Sequence, residues 1–141
     1  MKAAVIYWSG TGNTEAMAAA VLEGMRDAGA KAELFTPSDV TTNVIAAQDA
    51  VALGCPAMGS EVLEEDEFEP MFSAIKPLLA GKRVALFGSY GWGDGEWMRN
   101  WEEDCAASGI MLATDSVICC DAPDDAGVAA CKALGAMLVQ R

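Results

Sequence analysis

Four short runs, Ala3–Trp8, Val51–Cys55, Val84–Phe87 and Val117–Cys120, are hydrophobic almost without interruption. A strand with one wet face alternates in polarity. An unbroken apolar run suits a strand covered on both faces, as in a parallel sheet. A fifth, weaker run, Ala32–Phe35, alternates and reads as an edge strand. Helical stripes lie between these runs: Met17, Val21, Leu22 and Met25 with a stop at Gly29; Phe68, Phe72 and Ile75 after the acidic stretch Glu64–Glu69. Trp97, Met98, Trp101 and Cys105 form a third stripe, and Val128, Cys131, Leu134 and Leu138 a fourth. Pro70 suits a first turn, and Pro77 ends its helix near Lys76. Thr42–Ala47 has room for one or two helical turns. Strands alternating with helices imply right-handed crossovers and a doubly wound, three-layer sheet.

At 141 residues the chain is read as one domain spanning 1–141, with no linker or low-complexity tract. Its formal charge of −12 repels phosphate backbones and argues against nucleic-acid binding. It contains no histidine, which removes Ser-His-Asp and Cys-His catalysis and His-ligated zinc. No catalytic residue and no metal ligand set is assigned. Five cysteines without a C-x-x-C pairing read as reduced, mostly buried thiols, which suit a reducing compartment. The first apolar run is too short for a signal core or a membrane span. The expectation is therefore a cytoplasmic protein that does not enter membranes.

In doubly wound sheets ligands bind beyond the carboxyl ends of the strands, so the chemistry is sought in the loops that follow them. Ser9-Gly10-Thr11-Gly12-Asn13-Thr14 follows the first strand and opens a helix. Its N–H groups and hydroxyls can surround an anion, and its glycines allow close approach. It lacks the lysine of a Walker A loop, and Glu15 stands where a dinucleotide fingerprint needs glycine. The better fit is a phosphate monoester held by neutral donors. A plain Ser/Thr/Gly turn with an N-cap uses the same residue types.

Gly88-Ser89-Tyr90-Gly91-Trp92-Gly93-Asp94-Gly95 sets two aromatic residues among four glycines. A flat ring can lie against such an indole and meet peptide N–H groups. In Cys55-Pro56-Ala57-Met58-Gly59-Ser60-Glu61, Met58 can cover a ring face and Glu61 can accept from a ring N–H. The Gly59–Ser60 peptide can reverse its carbonyl cheaply. Each loop also has a purely structural use. Together they describe one ligand with a phosphate at one end and an isoalloxazine-sized ring at the other.

Tyr7–Glu15, Leu53–Glu61 and Leu86–Gly95, which contain these loops, resemble segments of short-chain bacterial flavodoxins of the clostridial and Megasphaera type, and the resemblance spans essentially the whole chain. It implies a five-stranded parallel sheet of order 2-1-3-4-5 and non-covalent FMN. Ser9, Gly10, Thr11, Gly12, Asn13 and Thr14 would hold the phosphate. Pro56, Ala57, Met58, Gly59, Ser60 and Glu61 would form one ring loop, with Ser89, Tyr90, Gly91, Trp92, Gly93 and Asp94 as the other. Met58 and Trp92 would sandwich the ring, Glu61 would take its N3–H, and backbone at Gly91 and Trp92 would face its pyrimidine edge. The carbonyl at Gly59 would turn toward N5–H of the neutral semiquinone. Ser60 stands where clostridial relatives commonly carry Asp or Asn, and Pro56 where some carry a hydroxyl residue.

The implied activity is a low-potential one-electron carrier, not an enzyme, cycling between neutral semiquinone and anionic hydroquinone in place of ferredoxin-type carriers. Eleven of the 21 acids lie between Glu61 and Asp104, against four basic residues. That imbalance disfavours a further negative charge in the site. The partners implied are redox proteins with basic docking faces (reductases and iron–sulfur oxidoreductases), met transiently by a monomer. A nicotinamide-dependent reductase would need a basic nucleotide site, and only Arg99 lies near the ring loops. A receiver domain would need clustered acids where Tyr7-Trp8-Ser9 stands. An activator of the ribonucleotide-reductase type is disfavoured by the full-chain likeness to carriers.

Overall fold

The computed structural model describes residues 1–140. Its strands are β1 (Lys2–Tyr7), β2 (Lys31–Phe35), β3 (Ala50–Gly54), β4 (Arg83–Tyr90) and β5 (Val117–Cys120). Its α-helices are α1 (Asn13–Asp27), α2 (Thr42–Ala46), α3 (Phe68–Ile75), α4 (Glu96–Ala107) and α5 (Asp125–Val139). Short 3-10 turns at Pro37–Asp39 and Lys76–Leu78 complete the order, the second carrying Pro77 where α3 ends. All strand pairs are parallel and the sheet runs β2-β1-β3-β4-β5. The expected topology is the observed one.

The period of two along each strand divides the core between two faces. Ala4, Ile6, Val51, Leu53, Val84 and Leu86 meet Phe68, Phe72, Trp97 and Trp101 of α3 and α4. Ala3, Val5, Ala50, Ala52 and Ala85 meet Met17, Val21 and Met25 of α1 and Leu134 and Leu138 of α5. The second face is alanine-rich, so its two helices lie close to the sheet. They also lie close to each other: a side chain at Gly24 would strike the Lys132 carbonyl, and one at Gly135 the Val21 carbonyl. On the first face Phe68 and Phe72 both meet Trp101 edge to face, at centroid distances of 5.5 and 5.8 Å.

The outer strand β5 departs from expectation. Its residues alternate between half-buried and exposed instead of being covered on both sides. It pairs with β4 alone, from Phe87↔Val117 to Tyr90↔Cys120, and so forms an edge. The same pairing explains a second difference. Gly88, Ser89 and Tyr90, read above as loop, continue β4, because β5 supplies hydrogen-bonding partners there. All five cysteines are free; Cys55, Cys105 and Cys131 are buried, Cys119 is half-buried and Cys120 exposed. Burial pushes the thiols of Cys55, Cys105 and Cys131 up to about 12, which keeps them protonated. No helix among the described residues is long and apolar enough to cross a membrane.

Candidate functional site

β1 lies between β2 and β3, so the chain leaves it toward one neighbour and later returns on its other side. The loops after β1 and β3 therefore diverge and leave a crevice at the carboxyl end of the sheet. A cleft of about 250 Å3 opens there, between the loops that follow β1, β3, β4 and β5.

One end of the cleft is the start of α1. Gly12 caps this helix in the left-handed region at φ 94° and brings no side chain of its own, and no carboxylate caps the first turn. Ser9 Oγ accepts from the N–H groups of Gly12 (3.1 Å) and Glu15 (3.3 Å). That hydroxyl shapes the loop from inside. Thr14 turns inward: it is buried, and its Oγ1 lies 3.3 Å from Ser89 Oγ, tying the helix start to the end of β4. Gly10 lies beneath the Trp8 indole, where an added Cβ would stand 3.1 Å from the ring. Trp8 Nε1 donates to Glu67 at 2.8 Å, so the wall above the loop is anchored to the start of α3.

The other end is built by two loops that lean on each other. Cys55 and Ala57 donate their N–H groups to the carbonyls of Phe87 and Ser89, which extends the β3 edge along β4. Gly88 permits this approach, since a side chain there would strike the Cys55 carbonyl. Met58–Glu61 then turns back, with Glu61 N–H on the Met58 carbonyl at 2.9 Å and Met58 N–H on the Val62 carbonyl at 2.9 Å. Glu61 sits in the left-handed region at φ 56°. A tight turn closed by a left-handed residue matches the three-residue hairpin loop, which normally uses glycine at that place. The Glu61 carboxylate accepts the N–H of Trp97 at 2.9 Å and so caps α4, whose own N-cap, Gly95, offers no side chain. Gly93 lies so close to this carboxylate that a side chain would collide with it. The adjacent Glu64 caps α3 in the same fashion, accepting from Asp66, Glu67 and Phe68 at 2.8–2.9 Å. Burial pushes the Glu64 carboxyl up, but these three N–H groups more than offset it and hold it below the ordinary carboxylate range.

Of the expected residues, Gly10, Thr11, Asn13, Pro56, Ala57, Met58, Ser89, Tyr90 and Gly91 line the cleft. Ser9, Gly12, Thr14, Gly59, Ser60, Glu61, Trp92, Gly93 and Asp94 belong to the same loops but lie off its lining. Trp92 is 63% exposed. Asp94 pairs with Arg99 at 3.0 Å on the surface, and that guanidinium holds its carboxyl below the usual range. Trp8 and Asp121 also line the cleft, though neither was named as a site residue. Both are marked as loop roots: Trp8 ends the first apolar run, and Asp121 follows Val117–Cys120 and opens the post-strand loop Asp121–Asp125, one of those in which a ligand is sought. The lining holds no lysine or arginine among the described residues, and no group of acids and thiols there is arranged for a metal ion.

The family model described as Flavodoxin matches residues 5–134. The chain belongs to the flavodoxin family. It is 47% identical to the flavodoxin of Clostridium beijerinckii over 122 residues, covering 86% of this chain and 88% of that one. It is 45% identical to the flavodoxin of Megasphaera elsdenii over 131 residues, covering 93% of each. The solution structure of two-electron reduced Megasphaera elsdenii flavodoxin superposes with a TM-score of 0.88 at 44% identity, covering 96% of this chain and 97% of that one. Flavodoxins bind FMN and carry electrons, and are not enzymes. The cleft suits FMN on its own evidence: a helix start capped by a hydroxyl and not by a carboxylate, for a phosphate at one end, and Met58, Tyr90 and the Gly91 backbone at the other.

Proposed function

We propose that this flavodoxin-family chain is a low-potential, one-electron carrier that works between the semiquinone and hydroquinone levels of FMN and substitutes for ferredoxin-type carriers. When bound, FMN supplies the one-electron chemistry; the protein's part is to hold it and bias its charge. The observation that carries the proposal is the start of α1, which opens on the cleft with no carboxylate cap and no cation in the cleft lining. Its free peptide dipoles favour a phosphate. Thr11 and Asn13 would add neutral donors, while Ser9 and the Thr14–Ser89 contact keep the loop in shape. Met58 and the Gly91 backbone would bound the ring, with the exposed Trp92 indole as its outer cover. Glu61, fixed against Gly93 and α4, sets the distance between the two ring loops.

The protein's charge of −12 opposes any additional negative charge in the cleft and so favours a low final potential. The same charge would steer the protein toward basic faces on reductases and iron–sulfur oxidoreductases in brief, salt-sensitive encounters of a monomer. Free thiols fit a cytoplasmic setting. Stepwise reduction of the FMN-loaded protein with dithionite, followed by absorbance, tests the proposal. Two resolved one-electron steps are expected, with a long-wavelength band in the first. A single two-electron step would contradict it.

A further inference from the structure

The period of two along β5 turns Cys119 toward the α5 side of the sheet, where it packs against the core that contains Cys131. Cys120 points the other way, is exposed, and has its Sγ 4.0 Å from the Asp121 carboxylate. Cys55 and Cys105 lie in the core on the opposite face of the sheet. Of the five thiols, only Cys119 and Cys131 therefore share a face. The helix is shaped to receive the Cys119 sulfur. A side chain at Gly127 would bring its Cβ to 2.8 Å from that sulfur, so the glycine leaves the space in which it sits. Cys131 follows Gly127 by one helical turn, on the same side of α5. There the Cys131 thiol donates a hydrogen bond to Cys119 Sγ.

We propose that Cys119 and Cys131 form a reversible oxidation site, at which a hydroperoxide joins them in a disulfide that fastens the edge strand β5 to α5. In the first step the Cys119 sulfur attacks the outer peroxide oxygen. The O–O bond breaks, water or an alcohol leaves with the thiol proton, and Cys119 becomes a sulfenic acid. In the second step the Cys131 sulfur attacks the Cys119 sulfur. The S–S bond forms, the S–O bond breaks, and hydroxide leaves with the Cys131 proton as water. The two thiols lose two electrons in all and the peroxide gains them. Cys119 attacks first because it is half-exposed while Cys131 is buried. Burial, then the Asp124 charge, holds the Cys119 thiol above its ordinary range, so the pair answers sustained oxidant and not a brief pulse. The hydrogen bond from Cys131 works the other way and favours the thiolate on Cys119. Strand β5 pairs with β4 alone, and the residue after it, Asp121, lines the cleft. The bond thus braces a cleft wall that has a single strand neighbour.

The experiment takes the full chain with FMN added and all thiols first reduced, and exposes it to hydrogen peroxide. The remaining thiols are then blocked with N-ethylmaleimide in denaturant, and the mass is read. The bonded form is expected to lack two hydrogen atoms, to leave two of the five thiols unblocked by maleimide, and to return to the reduced mass with dithiothreitol. Digestion at aspartate separates the two cysteines, since Asp121, Asp124 and Asp125 lie between them, and should leave one peptide pair joined until reduction. Cys119→Ser should abolish the bond, with Cys119→Ala in its place if the serine variant folds poorly. Cys120→Ser should leave the bond intact. Bonding should raise the melting temperature by about 5–10 °C. Cross-links that require Cys120, sulfinic acid at Cys119 with no cross-link, or a bond that forms only in denaturant would overturn the inference. A bond that leaves the melting temperature unchanged or lowers it would overturn the bracing.

Discussion

The starts of α1 and α3 are built from the same physics and put to opposite uses. Both helices present unpaired N–H groups and a positive dipole end. At α3 the protein fills this with its own carboxylate: Glu64, buried, receives three backbone N–H groups. The start of α4 is filled likewise by Glu61, and that of α5 by Asp124, whose Oδ1 accepts from Gly127 at 2.7 Å. At α1 the cap is a glycine, and the one side chain that reaches the first turn is the neutral hydroxyl of Ser9, on Glu15 N–H at 3.3 Å. The proposed phosphate site is thus a helix start whose N–H groups meet a hydroxyl and not a carboxylate, and the acid of its first turn, Glu15, accepts from the Tyr7 hydroxyl at 3.3 Å. In a chain of charge −12, Glu61, Glu64 and Asp124 are in turn engaged on the other helix starts.

Two substitutions test that contrast by exchanging the uses. Gly12→Asp gives α1 a carboxylate in open space, since nothing lies within 4 Å of an added Cβ; φ 94° strains any L side chain, so the equally strained but uncharged Gly12→Asn is its reference. The affinity for FMN should fall about 100-fold, ~2.7 kcal/mol, through like-charge repulsion, while the circular dichroism stays native. Retained affinity would mean that the α1 start is not the anion site.

The smaller effect is expected at α3. Glu64→Gln turns an amide N–H2 toward at least one of the three N–H donors and should lower stability by about 2 kcal/mol, read from the urea midpoint. The pH sign follows from the direction of the shift. The folded-state carboxyl is held below its ordinary value of 4.5, so its contribution is complete above that pH and is lost as the pH falls through the lowered value. The gap between wild type and Glu64→Gln should therefore be constant near neutrality and close in acid. A gap that persists unchanged well below that pH would show that the charge of Glu64 is not what stabilises α3.

Much of this architecture is legible in the residues. Long periodic stripes gave the helices, because a helix buries one face over many residues and the pattern repeats often enough to be seen. Four residues of β5 do not suffice: Val117, Ile118, Cys119 and Cys120 are all apolar, so composition hides that two of them face outward. Gly88 and Ser89 resemble loop residues, yet they are strand because β5 lies alongside. The loop Ser9–Thr14 is legible as a candidate phosphate site because all of its donors are contiguous. The caps were not, since Glu61 reaches α4 across 36 positions and only the fold brings them together. Asp121 stands at a loop root that the apolar run Val117–Cys120 marks, but that its side chain lines the cleft follows only from the fold.

The central claim is that the start of α1, free of any carboxylate cap, binds the phosphate of FMN through neutral donors. Titrating the flavin-free protein with FMN and with riboflavin, which lacks the phosphate, measures that directly. Charge-assisted bonds from a few backbone N–H groups should make FMN about a thousandfold tighter, ~4 kcal/mol. Riboflavin binding as tightly as FMN would contradict the account.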